Sequence, residues 1–210
     1  MYNYKVLKYK DILDSKEAFI LELDDVIYPE KDYLLQVYYL FANLLEYSAQ
    51  HPPAADLIAF FKKAYEQHGP HQLFQRAVDI FGIDNQYQSA FNKLHVSAKL
   101  PLKLLLYPQI KALLTDIFKA NKKALLLVKG NPLMQLNKLK QMEWEGLEQQ
   151  LKVYFYDELI IKGIQHPLAY VLTENSLKGP ETLLITKNKQ NPYPDSGANL
   201  AYMTVDLLLS

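Results

Sequence analysis

The chain contains no cysteine, which excludes disulfides, thiolate nucleophiles and cysteine-built zinc or iron–sulfur centres together. It has no excess of either charge: 23 Lys+Arg against 23 Asp+Glu give a formal net charge of zero. No overall pull toward nucleic acid or an acidic membrane follows, and neither partner is expected. No run approaches the roughly 18 apolar residues that span a bilayer. Met1 to Lys10 lacks the apolar stretch of a signal peptide, so a soluble, cytoplasmic protein is expected. Only 7 residues are glycine, few for loops that would bring backbone close to phosphate at several places.

What is present is enough to fold. Half of the 210 residues are hydrophobic and 22% are charged, so a core can form and global disorder is excluded. At about 150 residues per domain, the length suits one domain with an insert. There are 16 tyrosines, five of them close together at Tyr28, Tyr33, Tyr38, Tyr39 and Tyr47. Such helices are more often amphipathic packing surfaces than chemistry.

Five short apolar runs read as buried parallel strands: Ala18–Leu23, Ala124–Val128, Lys152–Phe155, Thr182–Thr186 and Met203–Leu208. Their continuity, without apolar–polar alternation, indicates a sheet covered on both faces. Lys129-Gly130-Asn131-Pro132 ends the second run and Lys178-Gly179-Pro180 precedes the fourth. Helical spacing lies between them. Residues 107–118 align Ile110, Leu113, Leu114 and Ile117 with Pro108 near the start, Leu133, Leu136 and Leu139 recur by threes, and 167–175 forms a third segment. Strand–helix alternation over residues 105–210 predicts a Rossmann-like, three-layer α/β fold around a parallel sheet. Residues 30–105 differ. Helical patterns at 33–47, 55–67 and 72–81, broken at His51-Pro52-Pro53 and His68-Gly69-Pro70, predict a small helical cap inserted after the first strand. The expected division is a core of residues 1–29 and 106–210 and a cap of residues 30–105.

At the end of the first strand the chain reads Phe19-Ile20-Leu21-Glu22-Leu23-Asp24-Asp25-Val26-Ile27-Tyr28-Pro29. This resembles the opening motif of the haloacid dehalogenase (HAD) superfamily, D-x-D-x-[T/V], which its phosphatases carry as a DLDDTLYP-like string. Three later strings resemble the same family in order: Leu127-Val128-Lys129-Gly130-Asn131-Pro132 with Gln135-Leu136-Asn137-Lys138, Tyr154 to Leu159, and Gly197-Ala198 to Met203. The resemblance covers nearly the whole chain. It implies a HAD-like core with a helical cap, and an activity that transfers phosphoryl groups through an aspartyl intermediate with magnesium.

Taken residue by residue, the resemblance implies an altered site. The nucleophile position is Glu22, one methylene (about 1.5 Å) longer than aspartate, where a misplacement of about 1 Å can cost 100-fold. Asp24, the general acid/base position, is kept, and Val26 fits the motif. Val128 stands where a Ser or Thr hydroxyl would bind the phosphoryl group. The lysine position of the third motif is Ile164, within Ile164-Gln165-His166-Pro167, with Lys162 two residues earlier as a substitute. The fourth motif reads Ile185-Thr186-Lys187-Asn188, with Pro194 near its later acid and Asp195 adjacent. Lys187 in place of a metal-binding aspartate changes local charge by two units. At about 4 Å from Glu22 or Asp24 its attraction would be about 4 kcal/mol before desolvation.

The expectation is therefore a salt-bridged pocket without metal, in which Lys187 and Lys129 neutralise Glu22 and Asp24. Asp25, Asn131 and His166 are further candidate pocket residues, and Asp24 would be the metal ligand if any were held. The function expected is a catalytically impaired or inactive HAD homologue that binds a small molecule or protein in the cap–core cleft. The alternatives are a working magnesium phosphatase on a small metabolite, with Glu22 attacking and Asp195 or Asp157 helping hold the ion, and a partner-binding protein using the tyrosine-rich helices. Two other clusters read as structural. His68 and His71 flank Gly-Pro with no third ligand nearby, and Lys119, Lys122 and Lys123 suit a helix C-terminus.

Overall fold

The structure is a computed structural model that describes residues 9–193, 197 and 199–209. In chain order its elements are α1 (Tyr9–Ser15), β1 (Ala18–Leu21), α2 (Glu30–Ala49), α3 (Ala54–His68), α4 (Leu73–Phe81), α5 (Gln88–Ser97), β2 (Leu104–Leu105), α6 (Pro108–Lys119), β3 (Lys123–Val128), α7 (Pro132–Gln141), β4 (Met142–Glu143), β5 (Lys152–Phe155), α8 (Tyr156–Ile161), α9 (Pro167–Glu174), β6 (Thr182–Thr186), β7 (Ala201–Thr204) and α10 (Asp206–Leu209). They divide into two compact units: residues 1–29, 105–132 and 143–210, and residues 30–104 and 133–142.

The first unit is built on a five-stranded parallel sheet in the order β5-β3-β1-β6-β7. Parallel strands need crossovers, and β1 at the centre has β3 on one side and β6 on the other, so the chain winds outward in both directions. On one face Ile20, Leu125, Leu127 and Leu184 pack with Leu159 of α8, Leu168, Val171 and Leu172 of α9, and Tyr193. Helix α6 lies against β3 and buries the stripe Ile110, Leu113, Leu114 and Ile117 that its periodicity predicts. The last strand begins earlier than its apolar run. Residues 201–204 pair with β6, and α10 starts at Asp206, an acid in a first helical turn. Lys122 is not a freely solvated cation. Its Nζ donates to the carbonyls of Leu13 (2.8 Å) and Lys16 (2.6 Å), capping the end of α1.

In the second unit, α2 packs on α3 and α5 through a cluster of rings. Tyr38 stacks on Phe61 at 4.9 Å, and Phe41 meets Phe91 edge-on at 4.9 Å and Phe74 at 5.9 Å. Tyr33 and Tyr38 are buried, while Tyr47 is exposed, so the tyrosine-rich segment is one packing face with a solvent side. Residues 133–142, which the sequence assigns to the core segment, cluster with this unit. The reason is polar: Lys138 is fully buried and pairs with Glu30 at 3.1 Å, and Asn137 and Gln141 donate to the carbonyl of Ala98. The buried face of α7 is thus Gln135 and Lys138, whereas Leu133 and Leu136 are exposed. The leucine spacing marks the helix but not its buried face.

His95 on α5 sits against Phe91 (4.6 Å) and Tyr38 (5.6 Å). Burial, aided by the Lys138 charge, lowers its pKa to about 4 from an ordinary 6.5. The unfolded chain therefore takes up this proton first as pH falls. The stabilising contribution is complete above about pH 6.5 and is lost on descending through pH 4, by up to about 3 kcal/mol. Urea unfolding of wild type should show this loss, and His95→Gln should flatten it; equal pH slopes in the two proteins would contradict it.

Candidate functional site

The site lies at the C-terminal ends of β1, β3 and β6, where the order of a doubly wound sheet reverses and leaves room between diverging loops. Strand β1 ends in a tight turn. Val26 and Ile27 N–H both donate to the Leu23 carbonyl, and Asp25 takes φ 58°, a left-handed conformation that Asp tolerates better than most residues. Asp24 accepts from Tyr28 Oη at 2.9 Å, so the Tyr-Pro end of the motif steadies its carboxylate.

Glu22 is only 8% exposed, and each of its oxygens accepts a hydrogen bond. Thr186 Oγ1 donates to Oε2 at 2.6 Å and Tyr193 Oη donates to Oε1 at 3.2 Å. Thr186 in turn accepts from Asn188 N–H at 3.1 Å and Nδ2 at 3.2 Å, so its own proton is directed at Glu22. Burial, then the facing Glu22 carboxylate, pushes the Tyr193 hydroxyl pKa well above its ordinary value, which keeps it a donor. The Lys129 ammonium lies over the Tyr193 ring at 4.0 Å and the Tyr156 ring at 5.0 Å and donates to the Pro192 carbonyl at 3.3 Å. Beside it, Gly130, with φ 102°, turns its N–H to the Asp157 carboxylate.

A cavity of about 120 Å³ opens here, lined by Glu22, Leu23, Asp24, Lys129, Lys187 and Asn188. That volume holds a few waters or a small polar group, at about 30 Å³ per water. The sequence-assigned positions are thus brought together only in part. Val128 is fully buried at the end of β3, beside Phe155. Ile164 packs against the core cluster and Lys162 pairs with Glu158 at 2.6 Å on an exposed surface, so neither lines the cavity. Glu158 raises the Lys162 pKa. His166 is exposed just ahead of α9, and Asn131 is exposed outside the lining set. Asp195 and Pro194 lie outside the described residues. Asp157 is engaged by Gly130.

The expected neutralisation of Glu22 by Lys187 is corrected. Among the described residues Glu22 forms no ion pair, and Lys187 Nζ instead meets Asp25 Oδ2 at 3.2 Å, both side chains more than a third exposed. An exposed pair of this kind contributes up to about 1 kcal/mol. The residues that hold Glu22, Thr186 and Tyr193, carry no assignment in the sequence reading. Thr186 could have been found as the last residue of a buried strand beside Glu22. Tyr193 gives no local signal. Among the described residues no group of three or more His, Asp or Glu side chains has an arrangement suited to a metal ion, and no helix is long and apolar enough to cross a membrane.

No family model matches the chain, and no curated protein does. Solved structures do. The CbbY protein of Rhodobacter sphaeroides, solved with xylulose-(1,5)bisphosphate, is 10% identical with a TM-score of 0.54, over 90% of this chain and 85% of that one. The UTR4 protein of Saccharomyces cerevisiae is 16% identical with a TM-score of 0.53, over 89% of each chain. The putative HAD-hydrolase YfnB of Bacillus subtilis, bound to magnesium, is 15% identical with a TM-score of 0.52, over 82% of this chain and 78% of that one. At such identities the likeness concerns the fold. With its five parallel strands, its central β1 and a carboxylate-bearing turn at the end of that strand, this chain has the haloacid dehalogenase-like fold.

Proposed function

We infer that this chain is a HAD-like hydrolase homologue that has given up magnesium-dependent phosphoryl transfer and serves as a binding or regulatory module through its strand-end pocket. One observation carries the reading: the side chain at the nucleophile position, Glu22, has both oxygens held by buried hydroxyls. Each oxygen keeps a second lone pair, but the two hydrogen bonds fix the carboxylate to Thr186 and Tyr193 and draw charge from it, so it is held for packing and is a weaker nucleophile than a carboxylate aimed freely at phosphorus. The donor set also does not fit a resident magnesium ion. Magnesium asks for near-octahedral oxygen ligands, whereas this cavity presents two lysines beside Glu22 and Asp24, and Lys187 stands at the acid position of the fourth motif. Val128 offers no hydroxyl for an incoming phosphoryl group, and Ile164 no cation for its charge.

The pocket that remains has carboxylates on one strand end and ammonium groups on the facing ones. That pattern suits a small zwitterionic or hydrogen-bonding group better than a polyanion with its metal. The test is hydrolysis of an aryl phosphate by the intact protein with and without magnesium. Expected is no turnover above the buffer blank in either condition, and no difference between wild type and Glu22→Ala. Magnesium-dependent turnover that disappears in Glu22→Ala would overturn the reading in favour of a working phosphatase.

A further inference from the structure

Away from the sheet, wholly within the helical unit, a cavity of about 380 Å³ opens between α3 and α4. Its walls divide by chemistry. Phe60, Ala64 and Ile80 supply apolar surface, and Lys63, His68 and Arg76 supply donors, with Gln67 and Asp79 at the margin. The volume is at the lower end of the range for small-molecule sites.

Arg76 is the informative residue. Its Nε is buried and has no hydrogen-bond partner. Among the described residues its guanidinium makes no ion pair, not even with Asp79 one turn along α4, whose Oδ1 is taken by Gln75 Nε2 at 2.9 Å. The side chains of Lys63, Gln67 and His68 likewise make no hydrogen bond or ion pair there. A buried donor left unpaired is costly, and cores avoid it. Here the unpaired guanidinium borders a cavity and has an ammonium and an imidazole on the opposite helix. A planar fork of N–H groups beside a second cation matches an oxyanion, which it can take with two parallel bonds. Beside it, Phe60 and Ile80, the latter 64% exposed, offer a flat apolar surface to whatever carries the anion.

We propose that this cavity binds a small amphipathic anion, a carboxylate or phosphate-type head group on a ring-sized apolar body. The head group pairs with Arg76 and Lys63, with His68 donating from the side, and the body lies on Phe60 and Ile80. Asp79 sits on the same rim and opposes the anion.

The experiment is a titration followed by backbone amide NMR, using phenylphosphonate (which has no ester bond to cleave), phenylacetate, and benzyl alcohol as the neutral counterpart. Saturable shifts in α3 and α4 are expected with an anion and not with benzyl alcohol, and the tighter anion identifies the head group. Arg76→Gln should weaken binding at least about 10-fold, by loss of the charged fork. Asp79→Asn should tighten it, which guards against a misfolded arginine variant. Shifts in α3 and α4 without shifts at the ends of β1 and β6 keep the outcome separate from the fate of the strand-end reading. The proposal is overturned by absence of saturable shifts with either anion, equal binding of benzyl alcohol, unchanged affinity in Arg76→Gln, or shifts confined to the ends of β1 and β6.

Discussion

Glu30→Ala is expected to lower the stability of the helical unit by about 3 to 5 kcal/mol, read as a fall in the urea midpoint followed by circular dichroism. The cause is what it leaves behind. Lys138 is fully buried, its Nζ 3.1 Å from Glu30 and 5.1 Å from the Tyr33 ring centre. Deleting the acid removes a counter-charge from an ammonium that water does not reach. Glu30 also opens α2, where an acid complements the helix dipole, adding up to about 1 kcal/mol. Lys138→Met should cost less, since the Glu30 side chain is 20% exposed and can be hydrated once its partner is gone. The double variant should recover a large part of the Glu30→Ala loss, because an apolar side chain in the lysine's place removes the buried charge altogether. A double variant as unstable as the sum of the single ones would show that the pair is not what holds α7 to α2.

Glu22→Ala should lower stability by about 2 to 4 kcal/mol, seen as a melting temperature lower by about 5 to 15 °C. Two buried hydroxyls lose their acceptor, and the loss is limited only where water from the adjoining cavity can replace the carboxylate. The sign discriminates between roles. A carboxylate poised to attack is held under electrostatic tension, and its removal tends to leave a protein as stable or more so. A carboxylate serving as the acceptor that ties β1 to β6 and to the 191–193 loop must cost stability when removed.

Much of this molecule can be read directly in its sequence. The runs that became β1, β3 and β6 are continuous and apolar because both sheet faces are covered there, whereas β5, at the sheet edge, is only half-buried; the strand–helix alternation along the chain points to the parallel sheet. The turn after β1 is equally legible, since Asp24, Asp25 and Tyr28 act within five residues of one another. What stayed hidden depends on distance along the chain. The partners of Glu22 are 164 and 171 residues away. No local pattern marks Tyr193 as a donor, and Lys187 could be assigned a carboxylate but not which one. Helix α5, Gln88–Ser97, is mostly polar and buries a single full residue, Phe91, so its periodicity is faint. In α7 the leucine spacing marks a helix but not its buried face, which carries Gln135 and Lys138, the latter paired with Glu30 across more than 100 residues.

The account rests on Glu22 acting as a structural acceptor and not as a reacting group, and a double-mutant cycle measures that directly. Thermal unfolding of wild type, Glu22→Ala, Tyr193→Phe and the double variant should give a coupling of about 1 to 2 kcal/mol, because Tyr193→Phe has little left to lose once the carboxylate is gone. Strictly additive losses, with Glu22→Ala as stable as wild type, would contradict it.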